Sequence, residues 1–170
     1  LEGNVTGDVP LRLSEKVREK ILALTERYPR KSGALLPALW EVQKEVGWIP
    51  DSLAEEVAEI LEIPPSQVFE VLSFYVLFHR KQVGKYTIWL CRNISCYLRG
   101  YEEIKACLEK ELGIREGETT EDGLFTFLTN ECLGACEGAP MMQINDRYYM
   151  NLTPEKVRDL IQKVRKGEPL

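Results

Sequence analysis

Residues 85–96, KYTIWLCRNISC, and residues 124–136, LFTFLTNECLGAC, share one plan: a short run of strand character that leads into a pair of cysteines. In the first, Tyr86, Ile88 and Leu90 alternate with Lys85, Thr87 and Trp89, and the alternation stops at Cys91. A period of two places successive side chains on opposite faces of a strand. In the second, residues 124–128 form the strand, and Cys132 and Cys136 lie just beyond it. Between the two runs, Tyr101, Ile104, Leu108 and Leu112 recur at helical spacing as far as Gly113. A strand, a helix and a strand within this length imply a parallel pair joined by a right-handed crossover. Residues 141–144 and 147–150 then flank Asn145 and Asp146, which read as a hairpin turn, and Thr153 with Pro154 caps and opens a last helix.

Working back toward the N-terminus, the period changes from two to 3.6. Val17, Ile21, Leu24 and Tyr28 mark one amphipathic helix, with Ser14 as its N-cap and Pro29 as its stop. Leu35, Leu39, Val42 and Val46 mark a second, ended by Gly47, and residues 48–50 turn the chain. Asp51 or Ser52 caps a third helix bearing Leu53, Val57 and Ile60. Pro64 and Pro65 break it before a fourth, which carries Val68, Leu72 and Tyr75. The expected class is α+β. Residues 1–83 form a helical bundle, and residues 84–170 form a domain of order βαβ then ββα with a mixed four-stranded sheet. That order, with Pro140 before the third strand, is the thioredoxin-like α/β arrangement.

Each cysteine pair follows the carboxyl end of a strand, where α/β sheets place their ligands. If the strands are neighbours, the C-x4-C of Cys91 and Cys96 and the C-x3-C of Cys132 and Cys136 bring four sulfurs together. Four thiolates ligate either one zinc ion or two sulfide-bridged irons. Tight C-x2-C knuckles are usual for structural zinc, so the wider spacers favour a 2Fe-2S cluster, with Cys91 and Cys96 on one iron and Cys132 and Cys136 on the other. Zinc, in an adaptor without redox activity, stays open on spacing alone. Gly134 lets backbone amides approach the anionic sulfurs. Glu131 and Glu137 flank the second pair, and their charge predicts a low reduction potential.

Other readings of these residues are poorer. A thioredoxin-type dithiol uses C-x2-C, which neither pair offers. Cys107 sits beside Leu108 on an apolar stripe and reads as a small buried hydrophobe. His79, the only histidine, has no second metal-ligand partner nearby in sequence, and Met141 and Met142 read as core. There is no Gly-rich nucleotide loop and no Ser/His/Asp constellation, so no catalytic site is expected on this chain. A net charge of −5 without a Lys/Arg face argues against nucleic acid. No apolar run reaches the ~20 residues of a membrane span, and LEGNVTGDVP lacks the apolar core of a secretion signal. Residues 1–3, which carry no initiator Met, are expected to be a cloning remnant. A cytoplasmic location is expected, where five cysteines point to metal or redox chemistry before disulfides.

Four segments, EVQKEVGWIP (residues 41–50), SFYVLF (residues 73–78), the C-x4-C at Cys91 and Cys96, and ECLGACEGAP (residues 131–140), resemble the E-type, thioredoxin-like 2Fe-2S component of respiratory complex I, the NADH-quinone oxidoreductase. They span both halves of the chain. The resemblance implies one 2Fe-2S cluster on Cys91, Cys96, Cys132 and Cys136, and no role for Cys107. It implies docking beside the subunit that binds FMN and NADH, with electrons accepted from the reduced flavin, in a complex peripheral to the inner membrane. A side store near the flavin, off the main path to quinone, is the usual interpretation. Related subunits serve NAD-linked formate dehydrogenases and NAD-reducing hydrogenases, and self-association of the isolated chain into a homodimer stays open. Arg92 and Ile94 stand where relatives often carry small residues, and Gln82 replaces a common proline. Trp40, Trp48 and Tyr75 exceed what a small bundle core needs, so the helical half is expected to supply much of the partner interface.

Overall fold

The computed structural model describes residues 12–169. The opening stretch that lacks a secretion signal's apolar core, residues 1–3 included, lies outside the described residues. The chain divides after Gln82 into two compact units.

The first unit is built from α1 (Glu15–Thr25), α2 (Leu35–Val46), α3 (Asp51–Leu61) and α4 (Pro65–Phe74). Ser14 caps α1 by accepting from the Val17 amide, and Gly47 ends α2 in the left-handed region at φ 89°. The apolar stripes meet as the periodicity requires: Ile21, Leu39, Val42, Leu53, Val57 and Val68 are sealed from water in one core. Four details differ from the sequence reading, the first being that Tyr75, expected on the stripe of α4, follows its last residue Phe74 and is exposed. A 3-10 turn over Lys31–Ala34 precedes α2. Asp51 is the first residue of α3, and Pro50 occupies the capping position without a side-chain bond. Tyr28 is exposed, because the chain leaves α1 at Thr25, one turn short of it. Gln43 is a buried polar side chain and is fully used: its amide donates to the Leu77 carbonyl at 2.8 Å, and its oxygen accepts from the His79 amide at 2.7 Å. One glutamine thereby fixes the strand-free segment after α4.

The second unit is a four-stranded mixed sheet of order β2-β1-β3-β4, with β1 Tyr86–Cys91, β2 Phe125–Asn130, β3 Met142–Ile144 and β4 Arg147–Tyr149. β1 pairs parallel with β2 and antiparallel with β3, and β3 pairs antiparallel with β4. The sheet is the mixed four-stranded one the sequence implies. β2 runs two residues further than its apolar pattern, because the β1 ladder continues through Leu90↔Thr129 and Cys91↔Asn130. Helix α5 (Ile94–Leu98) occupies the first cysteine loop, α6 (Tyr101–Leu112) links β1 to β2, and α7 (Pro154–Arg165) closes the chain. Thr153 caps α7 by accepting from the Lys156 amide. Phe125, Phe127, Ile88, Leu90, Leu108 and Ile161 form the core between sheet and helices. Asn145 turns the β3–β4 hairpin at φ 49°, a conformation that asparagine tolerates better than most residues.

Candidate metal centre

Cys91 ends the central strand of the sheet. Its amide donates to the Met141 carbonyl at 3.2 Å, and the next amide, of Arg92, donates to the Asn130 carbonyl at 3.0 Å. Both neighbouring strands therefore grip the backbone on either side of this thiol. Opposite Cys91 in the parallel ladder stands Asn130, two residues before Cys132. The two cysteine loops leave adjacent strands at the same end, as the spacing argument requires.

Cys96, expected in a loop, sits instead on α5. Asn93 caps that helix by accepting from the Ile94 amide at 2.8 Å, a local signal too short to show as periodicity. The helical turn carries Cys96 back into the same buried cluster as Cys91. Cys91 and Cys96 are buried with Ala135, Ala139 and Met141 in a small apolar cluster. Met141, a core residue as its pattern implies, is fully buried there against the thiols.

Burial raises the Cys96 thiol first, and its hydrogen bond with Cys91 raises it further, to about 11; a backbone hydrogen bond from Met141 works against both. Cys136 lies close enough to raise it electrostatically as well. The structure therefore brings Cys91, Cys96 and Cys136 into one neighbourhood. Cys132 and Cys136 are exposed. Cys107 is apart from the group, near the Pro154 carbonyl at 3.6 Å and the Arg158 guanidinium at 4.0 Å.

The second loop is shaped by Gly134, whose φ of +77° favours a residue without Cβ. Three side chains bond across or onto this loop that the sequence reading does not single out for the purpose. Arg92 donates through two nitrogens to the Glu131 carboxylate, joining the residue after Cys91 to the residue before Cys132. Arg99 donates from Nε to the Ala139 carbonyl at 2.7 Å. The Tyr148 hydroxyl donates to the Leu133 carbonyl at 2.9 Å. No periodicity or spacing rule marks long-range bonds to a loop carbonyl, so pattern reading has no signal to find them.

The donor set is soft and divided into two pairs. Four thiolates suit a single zinc ion as they suit two sulfide-bridged irons, so donor type alone does not separate the two. A 2Fe-2S cluster asks for two thiolates at each iron, which suits one pair per loop. Among the described residues no helix is long and apolar enough to cross a membrane.

The family model described as Thioredoxin-like [2Fe-2S] ferredoxin matches residues 21–165. The chain is 47% identical over 152 residues to the second E-type NADH-quinone oxidoreductase subunit of Rhizobium meliloti (strain 1021), covering 89% of this chain and 90% of that one. It is 40% identical over 151 residues to the E-type NADH-quinone oxidoreductase subunit of Escherichia coli (strain K12), covering 89% and 91%. Among solved structures it resembles an NAD+-reducing [NiFe]-hydrogenase in the H2-reduced state, with a TM-score of 0.70 over 79% of this chain. That likeness is one of fold, at 23% identity, and this chain spans 22% of the hydrogenase chain's length. With its parallel strands each running out into a cysteine pair, and with relatives matching across nearly all of its length, the chain belongs to the thioredoxin-like [2Fe-2S] ferredoxin family.

Proposed function

We propose that Cys91, Cys96, Cys132 and Cys136 hold one 2Fe-2S cluster, and that the chain serves as the E-type electron-transfer subunit of an NADH-quinone oxidoreductase, docked beside the subunit that carries FMN and NADH. The cluster supplies one-electron chemistry when bound. The protein's share is to bring two thiol pairs together at one end of the sheet, to cover the first pair, and to leave the second open. The observation that supports the ligand set best is that Cys91 and Cys96 share one buried cluster with Ala135, the neighbour of Cys136, at the ends of adjacent parallel strands.

The domain division supports the same reading. Residues 84–170 act as the cluster-bearing ferredoxin domain and residues 1–83 as a helical bundle that contributes to docking. Trp40 and Tyr75 are exposed on that bundle, and the segment after α4 exposes Val76 and Leu77 as well. The complex I assignment takes precedence over an NAD-reducing hydrogenase because the relatives at 40% and 47% identity are named as subunits of NADH-quinone oxidoreductase, whereas the hydrogenase likeness is one of fold.

The test is direct. Iron and acid-labile sulfide are assayed in the purified chain, and the reduced protein is examined by electron paramagnetic resonance. Two irons and two sulfides per chain with a paramagnetic reduced state are expected, and a colourless, zinc-loaded protein overturns the reading. Co-purification with a flavin- and NADH-binding subunit tests the partner; association with a formate dehydrogenase or hydrogenase instead reassigns the complex.

A further inference from the structure

The loop from Cys132 to Pro140 carries two of the four thiols, and it contains no strand or α-helix, only a 3-10 turn over Cys136–Gly138. Only some of its carbonyls can therefore be satisfied from within the loop. Backbone amides take four of them: within the loop Gly138 donates to the Ala135 carbonyl and Ala139 to that of Cys136, and from outside it Asn151 donates to the Gly138 carbonyl at 2.6 Å and Leu152 to that of Pro140 at 2.9 Å. Side chains take two more, Tyr148 at Leu133 and Arg99 at Ala139.

We propose that Arg99 and Tyr148 are positioning residues, which lock the second thiol loop in register with the first and thereby set the stability and potential of the cluster. The inference rests on the proposed ligand set and deepens it. Leu133 follows Cys132 directly, and Ala139 lies three residues after Cys136, so the two bonds bracket the Cys136 thiol from both sides along the chain. Arg99 terminates α5, three residues after Cys96. Its bond to Ala139 therefore couples the segment bearing Cys96 to the segment bearing Cys136, and a shift of one loop is carried to the other. The planar guanidinium directs its N–H groups in fixed directions, which a lysine ammonium cannot imitate.

Tyr148 acts on a different atom. A trans peptide is planar, so holding the Leu133 carbonyl toward the phenol turns the Gly134 N–H to the opposite side. The left-handed turn at Gly134 fixes that peptide relative to the next. Loop amides of this kind are what anionic sulfurs recruit, and hydrogen bonds to sulfur raise a cluster's potential. The phenol thus governs an amide that it does not touch.

The experiment uses the full chain, as wild type and as Arg99→Ala, Arg99→Lys and Tyr148→Phe, each reconstituted with ferrous iron and sulfide. Iron release to a chelator, the reduction potential, and the exchangeable-proton couplings of the reduced cluster in H2O and D2O are measured. Partners that orient metal ligands are worth about 10- to 100-fold in affinity, so Arg99→Ala and Tyr148→Phe are expected to release iron about tenfold faster or more. Tyr148→Phe is further expected to lower the potential and to alter an exchangeable coupling. Arg99→Lys, which keeps the charge, is expected to recover only part of the slow release. Tyr148 is 50% exposed and its variant loses a single oxygen, so Tyr148→Phe decides the matter even where Arg99→Ala does not fold. Wild-type release, potential and couplings in Tyr148→Phe overturn the inference while leaving the ligand set standing. A wild-type chain that takes up no cluster overturns both.

Discussion

Gly84 lies two residues ahead of β1, and its replacement by alanine is expected to loosen the sheet that positions Cys91. A Cβ built there meets the backbone of the neighbouring strand, 2.7 Å from the Phe125 carbonyl carbon, 2.9 Å from its nitrogen and 3.0 Å from the Leu124 carbonyl carbon. Ordinary contact starts at 3.4 Å, so a separation of ~0.7 Å has to open between two backbones. No side chain can swing away to absorb it. The backbones are fastened here as well: the Gly84 amide donates to Thr126 Oγ1 at 2.6 Å, and the Lys85 and Tyr86 amides donate to the carbonyls of Gly123 and Leu124. Overpacking of this kind costs about 1–3 kcal/mol, and straining the buried bond to Thr126 adds roughly 1 kcal/mol. The combined ~2–4 kcal/mol corresponds to about 30- to 1000-fold faster amide exchange wherever exchange follows opening of the second unit. Hydrogen-exchange mass spectrometry reads this separately for peptides covering β1 and β2 and for those covering α2 and α3, which serve as internal controls. Exchange in β1 and β2 within threefold of wild type refutes the steric argument, and equal acceleration in the helical controls refutes its localisation.

Three further outcomes follow from the site and its surroundings. Glu131→Gln is expected to raise the reduction potential and Arg92→Gln to lower it, by tens of millivolts that shrink with added salt, because both partners are largely exposed; a redox titration in which both variants move in the same direction refutes it. Glu116 has its carboxyl held below the ordinary range, first by the Thr129 hydroxyl and then by Lys105. A depressed carboxyl contributes stability above its unfolded-state value of ~4.5 that is lost as pH falls through the folded-state value, so Glu116→Gln should flatten the acid limb of the urea midpoint below pH ~4.5, and parallel curves for variant and wild type remove the linkage. In the cluster-free chain at pH 8, iodoacetamide is expected to modify Cys132 and Cys136 ahead of Cys91 and Cys96, since the first two are exposed and burial holds the Cys96 thiol near 11; peptide mapping that finds Cys96 among the first residues modified contradicts this.

How much of this was legible in the sequence depended on the range of the signal. The four bundle helices, the alternation in β1, the stripe on α6 and the turn at Asn145 are local patterns that burial in one core enforces, and the structure places elements there. Helix α5 has five residues, too few for a period to stand out, and its Ile94, Tyr97 and Leu98 are exposed and not drawn into a core. Tyr28 fits the spacing of α1 and yet lies beyond its end, because spacing says nothing of where the helix stops, here at Thr25. At the site, the four cysteines are visible by type and by position after strands, while Arg99 and Tyr148 act 40 and 15 residues away from their acceptors. Only tertiary structure supplies such pairs.

The unequal burial of the two cysteine pairs follows from strand order, and order is what an alternating pattern does not encode. β1 has a strand on each side, β2 and β3, so a residue at its end is enclosed by the ends of both neighbours. Cys91 is held in this way, between Asn130 on one side and Met141 on the other. β2 has β1 on one side and on the other only the short 117–120 segment, which bonds its backbone at Phe125 and Phe127 and stops short of its carboxyl end. Cys132 and Cys136 are open to solvent, and their loop is tied by side-chain bonds from Arg99 and Tyr148 together with amides of Asn151 and Leu152, where Cys91 has strand backbone on both sides. On the proposed ligand set, the buried pair is the side fixed by strand backbone, and the tied loop is the side on which single substitutions have the greatest leverage.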